Sequence, residues 1–286
     1  MENSDVNMEE SAIDAKGFNL NPFSTSVAAT IPKEEGLKFD PDSMYYDMSG
    51  DKHLVILNQH TFKKTVYFKN QQPATRNGTD KDVSALKSLF GDLGFKVTVF
   101  RNLEYDEIMK NLREVASKGH ADTSCLFITI LTHGDKGGEL HAADRPYLLS
   151  DVLTIFEMEP TLVNKPKVFL IQACRGDKMD AGKTVHLDSV GFLTVPTHAD
   201  FLILCSTVED YLSYRDANGS WMIQALCHII SKYRNHLDLL HMITLMNRKV
   251  AYERASYTPR NKAMHNKKQM PETRFTLTKQ LKFKTP

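Results

Sequence analysis

An α/β fold built on a largely parallel sheet is the class that the sequence predicts, and two observations carry it. Apolar runs of strand length alternate with stretches of helical period, in the order β-α-β-α-β-(α)-β, which calls for crossover helices on both faces of a sheet. Two of those runs also end on chemistry. Cys125-Leu126-Phe127-Ile128-Thr129-Ile130-Leu131-Thr132 leads into His133-Gly134, and Lys167-Val168-Phe169-Leu170-Ile171 leads into Gln172-Ala173-Cys174-Arg175-Gly176. Parallel strands would open an imidazole and a thiol into one crevice at the strands' carboxyl ends, where open α/β sheets bind ligands.

The elements follow in order. His53 to Leu57 reads as a first strand, closed by Asn58-Gln59-His60, and a polar loop after it carries Arg76. Thr79 or Asp80 is expected to cap a helix running to about Leu93, with Val83, Leu86, Phe90 and Leu93 on one face and Gly94 as its stop. Phe95 to Phe100 alternates as a second strand. Glu104 to Ser117 is a helix with Ile108, Leu112 and Val115 inward. After the strand ending at His133, Gly134 to Asp151 reads as a hairpin or lid and Leu149 to Phe156 as a short helix. The run to Cys174, bounded by Pro166 and Gly176, is a buried strand. Asp177 to Asp188 is polar and the best internal linker. Ala199 to Ser206 is a further strand. Gly219 to Tyr233 and Leu237 to Arg254 are helices, the first opened by a turn at Asn218-Gly219-Ser220, and Arg274 to Phe283 alternates as a last strand.

Composition narrows the function classes. The chain has 286 residues, 41% hydrophobic and 25% charged, with a net charge of +1, so overall charge names no partner. No uncharged apolar run approaches the roughly 20 residues of a membrane span, and Met1 to Glu10 lacks a signal-peptide core. A cytoplasmic protein is expected. Met1 to Leu37, with seven acidic residues against two lysines, reads as a disordered leader, too short for a docking domain of at least ~50 residues. Eleven Lys/Arg from Arg248 onward read as a solvated basic face, since no aromatic interleaving or nucleic-acid motif accompanies them. The four cysteines form no C-x-x-C pair, which speaks against a disulfide framework or a zinc site. Cys125, Cys205 and Cys227 lie in apolar runs and read as buried small hydrophobes. Cys174 differs, because Arg and Gly follow it.

A thiolate is a nucleophile, and an imidazole beside it can take up its proton or protonate a leaving amine. Gln172-Ala173-Cys174-Arg175-Gly176, with Thr132-His133-Gly134 upstream, matches the caspase signature. From about Tyr46 to its C-terminus the chain resembles the caspases, and its short leader makes it look like an effector caspase. That resemblance implies a caspase-like three-layer α/β/α sandwich, with a mostly parallel six-stranded sheet plus a C-terminal antiparallel edge strand. It implies cleavage of proteins after aspartate, with Cys174 as nucleophile, His133 as general acid/base, and the backbone N–H groups of Gly134 and Cys174 as oxyanion hole. Arg76, Gln172 and Arg215 match the pocket for the aspartate, where paired guanidiniums suit a carboxylate.

Leu212-Ser213-Tyr214-Arg215-Asp216 departs from the family's usual Tyr-Ser-Trp-Arg-Asn. Tyr214 can still wall the second pocket, which Leu212 makes less aromatic, and Trp221 matches the aromatic floor of the outer one. Asp216 replaces an asparagine that holds an acidic side chain four residues before the cut, and a carboxylate there should repel it. The family matures by cuts after aspartate. Residues 38–188 would be the large subunit and 189–286 the small one, together folding as one domain (38–286) and pairing into a dimer. Asp188 would end the large subunit, with Asp180 as runner-up, and Asp14 would end the leader 1–37. An upstream initiator caspase and inhibitor-of-apoptosis proteins are the other expected partners, with no cofactor or metal. The changes at Leu212, Tyr214 and Asp216, and Met270-Pro271-Glu272-Thr273 near the family's dimer strand, leave room for an alternative: a catalytically weak regulator that dimerises with an active caspase.

Overall fold

The computed structural model describes residue 40 and residues 42–175, 199–216, 218–257 and 265–283. In chain order these form β1 (Asp51–Asn58), α1 (Thr79–Asp92), β2 (Phe95–Arg101), α2 (Tyr105–Ala116), β3 (Thr123–Leu131), the hairpin β4 (Glu139–His141) and β5 (Pro146–Leu148), and α3 (Leu149–Glu157). There follow β6 (Lys167–Gln172), β7 (Phe201–Cys205), the short hairpin β8 (Arg215–Asp216) and β9 (Gly219–Ser220), α4 (Trp221–Tyr233), α5 (Leu239–Glu253) and β10 (Glu272–Phe275).

Six strands make the central sheet, in the order β10-β7-β6-β3-β1-β2. β2, β1, β3, β6 and β7 run parallel, and β10 is antiparallel to β7. The antiparallel edge strand is therefore the sixth strand and not an addition to six.

Alternation along each strand divides the core into two layers. Leu54 and Ile56 of β1 face a cluster built from Val83, Leu86 and Phe90 of α1, Met222 and Leu226 of α4, and Met242 and Met246 of α5. Val55 and Leu57 face the opposite cluster, with Ile108 and Leu112 of α2 and Val152 and Phe156 of α3. β3 and β6 are buried along their whole length, as strands covered on both faces must be. The chain passes from β1 outward to β2, then back across to β3. The sheet thus reverses its strand order between β1 and β3, and a crevice opens there at the carboxyl ends.

Several boundaries differ from the sequence expectation, each for a physical reason. Gly78, at φ 87°, is the N-cap of α1, and no side chain caps that helix. The Thr79 hydroxyl is engaged elsewhere, donating to Asn58 Oδ1 at 2.6 Å. α4 starts at Trp221 because Gly219 and Ser220 pair with β8. α5 starts at Leu239, where the Asp238 side chain accepts from the Leu240 and His241 amides. The last strand stops at Phe275, its register consumed by Leu202 to Cys205 of β7. The residues beyond turn aside, and Phe283 packs on Phe90, Phe95 and Phe127. The leader, Asp14, Asp180, Asp188 and the expected subunit boundary all lie outside the described residues. No helix among the described residues is long and apolar enough to cross a membrane.

Candidate active site

β3 and β6 are neighbours, and their register carries past the strand ends. Thr132 N–H donates to the Gln172 carbonyl at 3.1 Å, which sets His133 beside Ala173 and Cys174. The two loops touch at Gly134. A Cβ on that residue would stand 2.6 Å from the Cys174 carbonyl oxygen, 2.7 Å from that of Glu139 and 3.1 Å from the Ala173 Cβ, so only glycine lets the histidine loop lie on the thiol loop. Among the described residues, neither the Gly134 nor the Cys174 N–H donates a hydrogen bond.

His133 is oriented by an atom that the sequence did not advertise. Its Nε2 lies 2.7 Å from the backbone carbonyl of Ala74, in the loop after β1. A carbonyl only accepts, so Nε2 carries the proton and Nδ1 keeps its lone pair for the thiol. The ring packs against Phe62 at 5.0 Å between centroids, with the His141 ring 6.2 Å away. Burial pushes the His133 pKa down to about 4. The Ala74 carbonyl opposes that shift, while Arg76, His141 and Arg215 add to it. The neutral imidazole is therefore the resting form at neutral pH. The Cys174 Sγ lies 3.9 Å from the Ser213 carbonyl, on the loop after β7.

Two guanidiniums stand next to this pair. Arg76 is 1% exposed. Its Nη1 donates to the Gln59 carbonyl and to Thr79 Oγ1, both at 2.9 Å. Burial, and second the Arg215 charge, push its pKa down to about 9, so it remains a cation at neutral pH. Arg215 Nε donates to the Asn77 carbonyl at 2.7 Å, and burial lowers its pKa as well. Neither guanidinium hydrogen-bonds a carboxylate among the described residues. The nearby Asp82 instead accepts from the Ser220 N–H at 2.7 Å and from its hydroxyl at 2.6 Å, and burial raises its pKa. Gln172, 3% exposed, donates to the Ser213 hydroxyl at 2.5 Å. Thiol, imidazole, an amide and two cations, which feel the Asp82 charge but hydrogen-bond no described carboxylate, thus share one cleft.

Further along the same stretch, Leu212 and Tyr214 are half-buried. Tyr214 stacks on Trp221 at 4.9 Å and 25°, and Trp221 is itself 5% exposed, so the tyrosine covers the tryptophan. Asp216 stands at the end of β8, and its carboxylate lies 3.5 Å from Arg254 Nη1. Arg175, the residue after the thiol, is 8% exposed and forms ion pairs with Glu272 of β10 and, at 3.8 Å, with Glu209. Glu272, which the sequence marked as a departure, is thus the partner of the cation beside Cys174. Cys125 and Cys205 are buried in the core as expected, whereas Cys227 is only half-buried against it; burial pushes the Cys205 and Cys227 thiols up to about 11 and about 12.

Residues 51–282 match the family described as Caspase domain. Caspase-1 of Spodoptera frugiperda is 37% identical over 280 residues, which cover 94% of this chain and 89% of that protein. Caspase-3 of Bos taurus is 33% identical over 289 residues, covering 99% and 100%. The crystal structure of Caspase-1 from Spodoptera frugiperda superposes with a TM-score of 0.77 at 37% identity, over 86% of this chain and 96% of the other.

Proposed function

The chain belongs to the caspase family, and from that premise we propose that it is an effector caspase, made as a zymogen, that cleaves proteins after aspartate in programmed cell death. Family membership makes it a cysteine-type endopeptidase. The finer reading rests on one observation above the others. Arg76 is buried as a cation with no carboxylate hydrogen-bonded to it among the described residues, beside Arg215 and next to the thiol. A substrate aspartate would supply the missing anion through parallel charge-assisted hydrogen bonds. The Gln172 amide, already on Ser213, closes the same pocket.

The steps follow from the residues. The Cys174 thiol passes its proton to His133 Nδ1, and the sulfur attacks the carbonyl carbon of the bound aspartate. Charge developing on the carbonyl oxygen meets the uncommitted N–H groups of Gly134 and Cys174. When the C–N bond breaks, the imidazolium returns its proton to the leaving amine. A thioester remains. Water, deprotonated by His133, attacks that thioester, releasing the acid and restoring the thiol. Throughout, the Ala74 carbonyl holds the ring and favours its protonated form.

Maturation belongs to the same proposal. Cuts after Asp188, or after Asp180, would separate a large subunit (38–188) from a small one (189–286), and a cut after Asp14 would remove the leader. Paired large/small units, activation by an initiator caspase, restraint by inhibitor-of-apoptosis proteins and a cytoplasmic location complete it. Ser213, Tyr214, Leu212 and Trp221 would receive the substrate residues before the aspartate.

The test is expression of the wild type beside Cys174→Ala, with a gel for self-processing and a fluorogenic peptide ending in Asp. Wild type should cleave the peptide, and Cys174→Ala should not. Equal hydrolysis by both proteins, or equal hydrolysis of peptides ending in Asp and in Asn, would overturn the proposal.

A further inference from the structure

The charge at the outer end of the cleft is not the charge of Asp216 alone. The Ser213 carbonyl stands 3.9 Å from the nucleophile sulfur, and three residues of extended chain lead from it to Asp216. At about 3.3 Å per residue that is roughly 10 Å, the span an extended substrate covers between the cleaved aspartate and the residue three before it. The side chain four positions before the cut therefore comes alongside Asp216.

There it meets three side chains closed into a ring. Asp216 Oδ1 accepts from the Asn218 N–H at 2.7 Å and from Gln224 Nε2 at 3.1 Å. Gln224 Nε2 also donates to the Gly219 carbonyl at 2.6 Å, and Gln224 Oε1 accepts from Arg254 Nη2 at 2.8 Å. Arg254 Nη1 returns to Asp216 Oδ2 at 3.5 Å. Arg254 is thus anchored by Gln224 on α4 and by its own backbone, whose carbonyl accepts from Lys268 Nζ at 2.9 Å. Its hold on Asp216 is an ion pair longer than a well-formed hydrogen bond. Both groups are partly exposed, at 29% and 37% of their side chains. A guanidinium presents five N–H donors in a planar fork, and among the described residues this one meets only Gln224 and Asp216.

We propose that Arg254 is a specificity-determining residue of this cleft, a cation masked by Asp216, so that the chain selects an uncharged side chain four residues before the cut and can accept an acidic one only when Asp216 loses its charge. The proposal rests on the reading of Cys174 as nucleophile and of Ser213 to Asp216 as the strand that receives the peptide. Simple repulsion by Asp216 makes a different prediction. Repulsion needs no Arg254, whereas a masked cation does.

The experiment uses the processed enzyme, titrated for active sites, with the peptides Asp-Glu-Val-Asp, Val-Glu-Val-Asp and Lys-Glu-Val-Asp. Wild type should prefer Val at the first position of the peptide. Asp216→Asn should raise the Asp:Val ratio of kcat/KM by about tenfold, the scale of one partly exposed charge pair. Arg254→Leu should depress the Asp peptide and raise the Lys peptide. In Asp216→Asn/Arg254→Leu the gain for the Asp peptide should vanish. Persistence of that gain in the double variant overturns the role of Arg254 and leaves the catalytic reading standing. Failure of titrated wild type to cleave any of the three overturns the catalytic reading, and this inference with it.

Discussion

At the amino end of β6, Lys167 is 4% exposed, and its Nζ donates to the carbonyls of Leu162 and Lys165, both at 2.9 Å, while lying 4.8 Å over the Phe201 ring. Beside it Asp200, 1% exposed, accepts from the Tyr46 hydroxyl at 2.7 Å and the Thr278 hydroxyl at 2.6 Å. At the carboxyl end of the same sheet Arg76 is buried as deeply, yet only its Nη1 donates to a described residue. One buried cation has two of its three donors on backbone carbonyls and lies over an aromatic ring, and the other keeps most of its fork unused among the described residues. Burial of charge is costly unless it is paired. The closed network ties segments far apart in sequence, Tyr46, Lys167, Asp200 and Thr278, at one end of the sheet. On the proposed reading the open one would receive an anion that arrives with the substrate. The carboxyl end is the part of the molecule where stability is exchanged for activity.

If that contrast is right, substitutions at the open end should abolish activity and spare the fold. Cys174→Ala removes the sulfur to which the acyl group would be transferred, and peptidase activity should fall by roughly 10⁵ or more, with the thermal midpoint within about 2 °C of wild type. Arg76→Leu should lower kcat/KM for Asp-containing peptides by about 10³, the loss of paired charge-assisted bonds to a carboxylate. Its effect on stability is the sharper measurement. Removing an incompletely paired buried charge relieves desolvation, while the Gln59 carbonyl and the Thr79 hydroxyl lose a donor. A midpoint that drops as far as it does for a substitution at Asp200 would break the comparison.

Asp200 is that control. It has φ 69°, a conformation that asparagine tolerates and alanine does not. Asp200→Asn therefore isolates the charge. Tyr46, Thr278 and Lys167 lose their anion in a buried site, which costs about 3 kcal/mol and lowers the thermal midpoint by roughly 6–12 °C. Peptide cleavage at 25 °C per titrated active site should stay within about twofold of wild type. A loss of activity without a loss of stability would place Asp200 on the wrong side of the contrast.

The two ends were also unequally legible in the sequence. The strands leading to His133 and Cys174 could be read because both are buried on two faces, so their apolar runs are continuous and the polar residues that end them stand out. Arg76, Gln172 and Arg215 were found through the family motif and not through local pattern, since a buried arginine looks like a surface one in sequence. Ala74 was missed because it acts through a backbone carbonyl, which no residue type announces. Arg254 was missed because it meets Asp216 only after α4 and α5 have folded back on each other. The sequence offers Thr79 or Asp80 as the cap, the usual role of such residues before a helix, yet the Thr79 hydroxyl serves Asn58 and Arg76 while Gly78 takes the capping position. At the closed end, Lys167 and Asp200 fall inside the expected strands with no sign in the sequence of the tertiary network that buries them.

The smallest effect tests how far the open end controls its own proton balance. In the proposed mechanism activity requires one proton shared between Cys174 and His133, and a second proton, giving thiol plus imidazolium, would inactivate the pair. His141, on β4, lies 6.2 Å from His133 and packs against Phe62 and Phe68. Its Nε2 is 3.4 Å from Glu139 Oε1, and Asp135 in the loop after β3 also favours its protonation, although burial lowers its pKa overall. Lys69, beside Phe68, acts on Glu139 in the opposite sense. Burial holds the His133 pKa, about 4, below that of an ordinary histidine, and the charges of Arg76, His141 and Arg215 add to the shift. A charge on His141 opposes protonation of His133. Replacing His141 by phenylalanine keeps the aromatic wall and deletes that charge, so His133 is protonated at a higher pH. The acid limb of kcat/KM should move up by about half to one pH unit, with the plateau above pH 7.5 little changed. A limb that stays in place, or moves toward acid, would mean that the two imidazoles share a wall without sharing a proton balance.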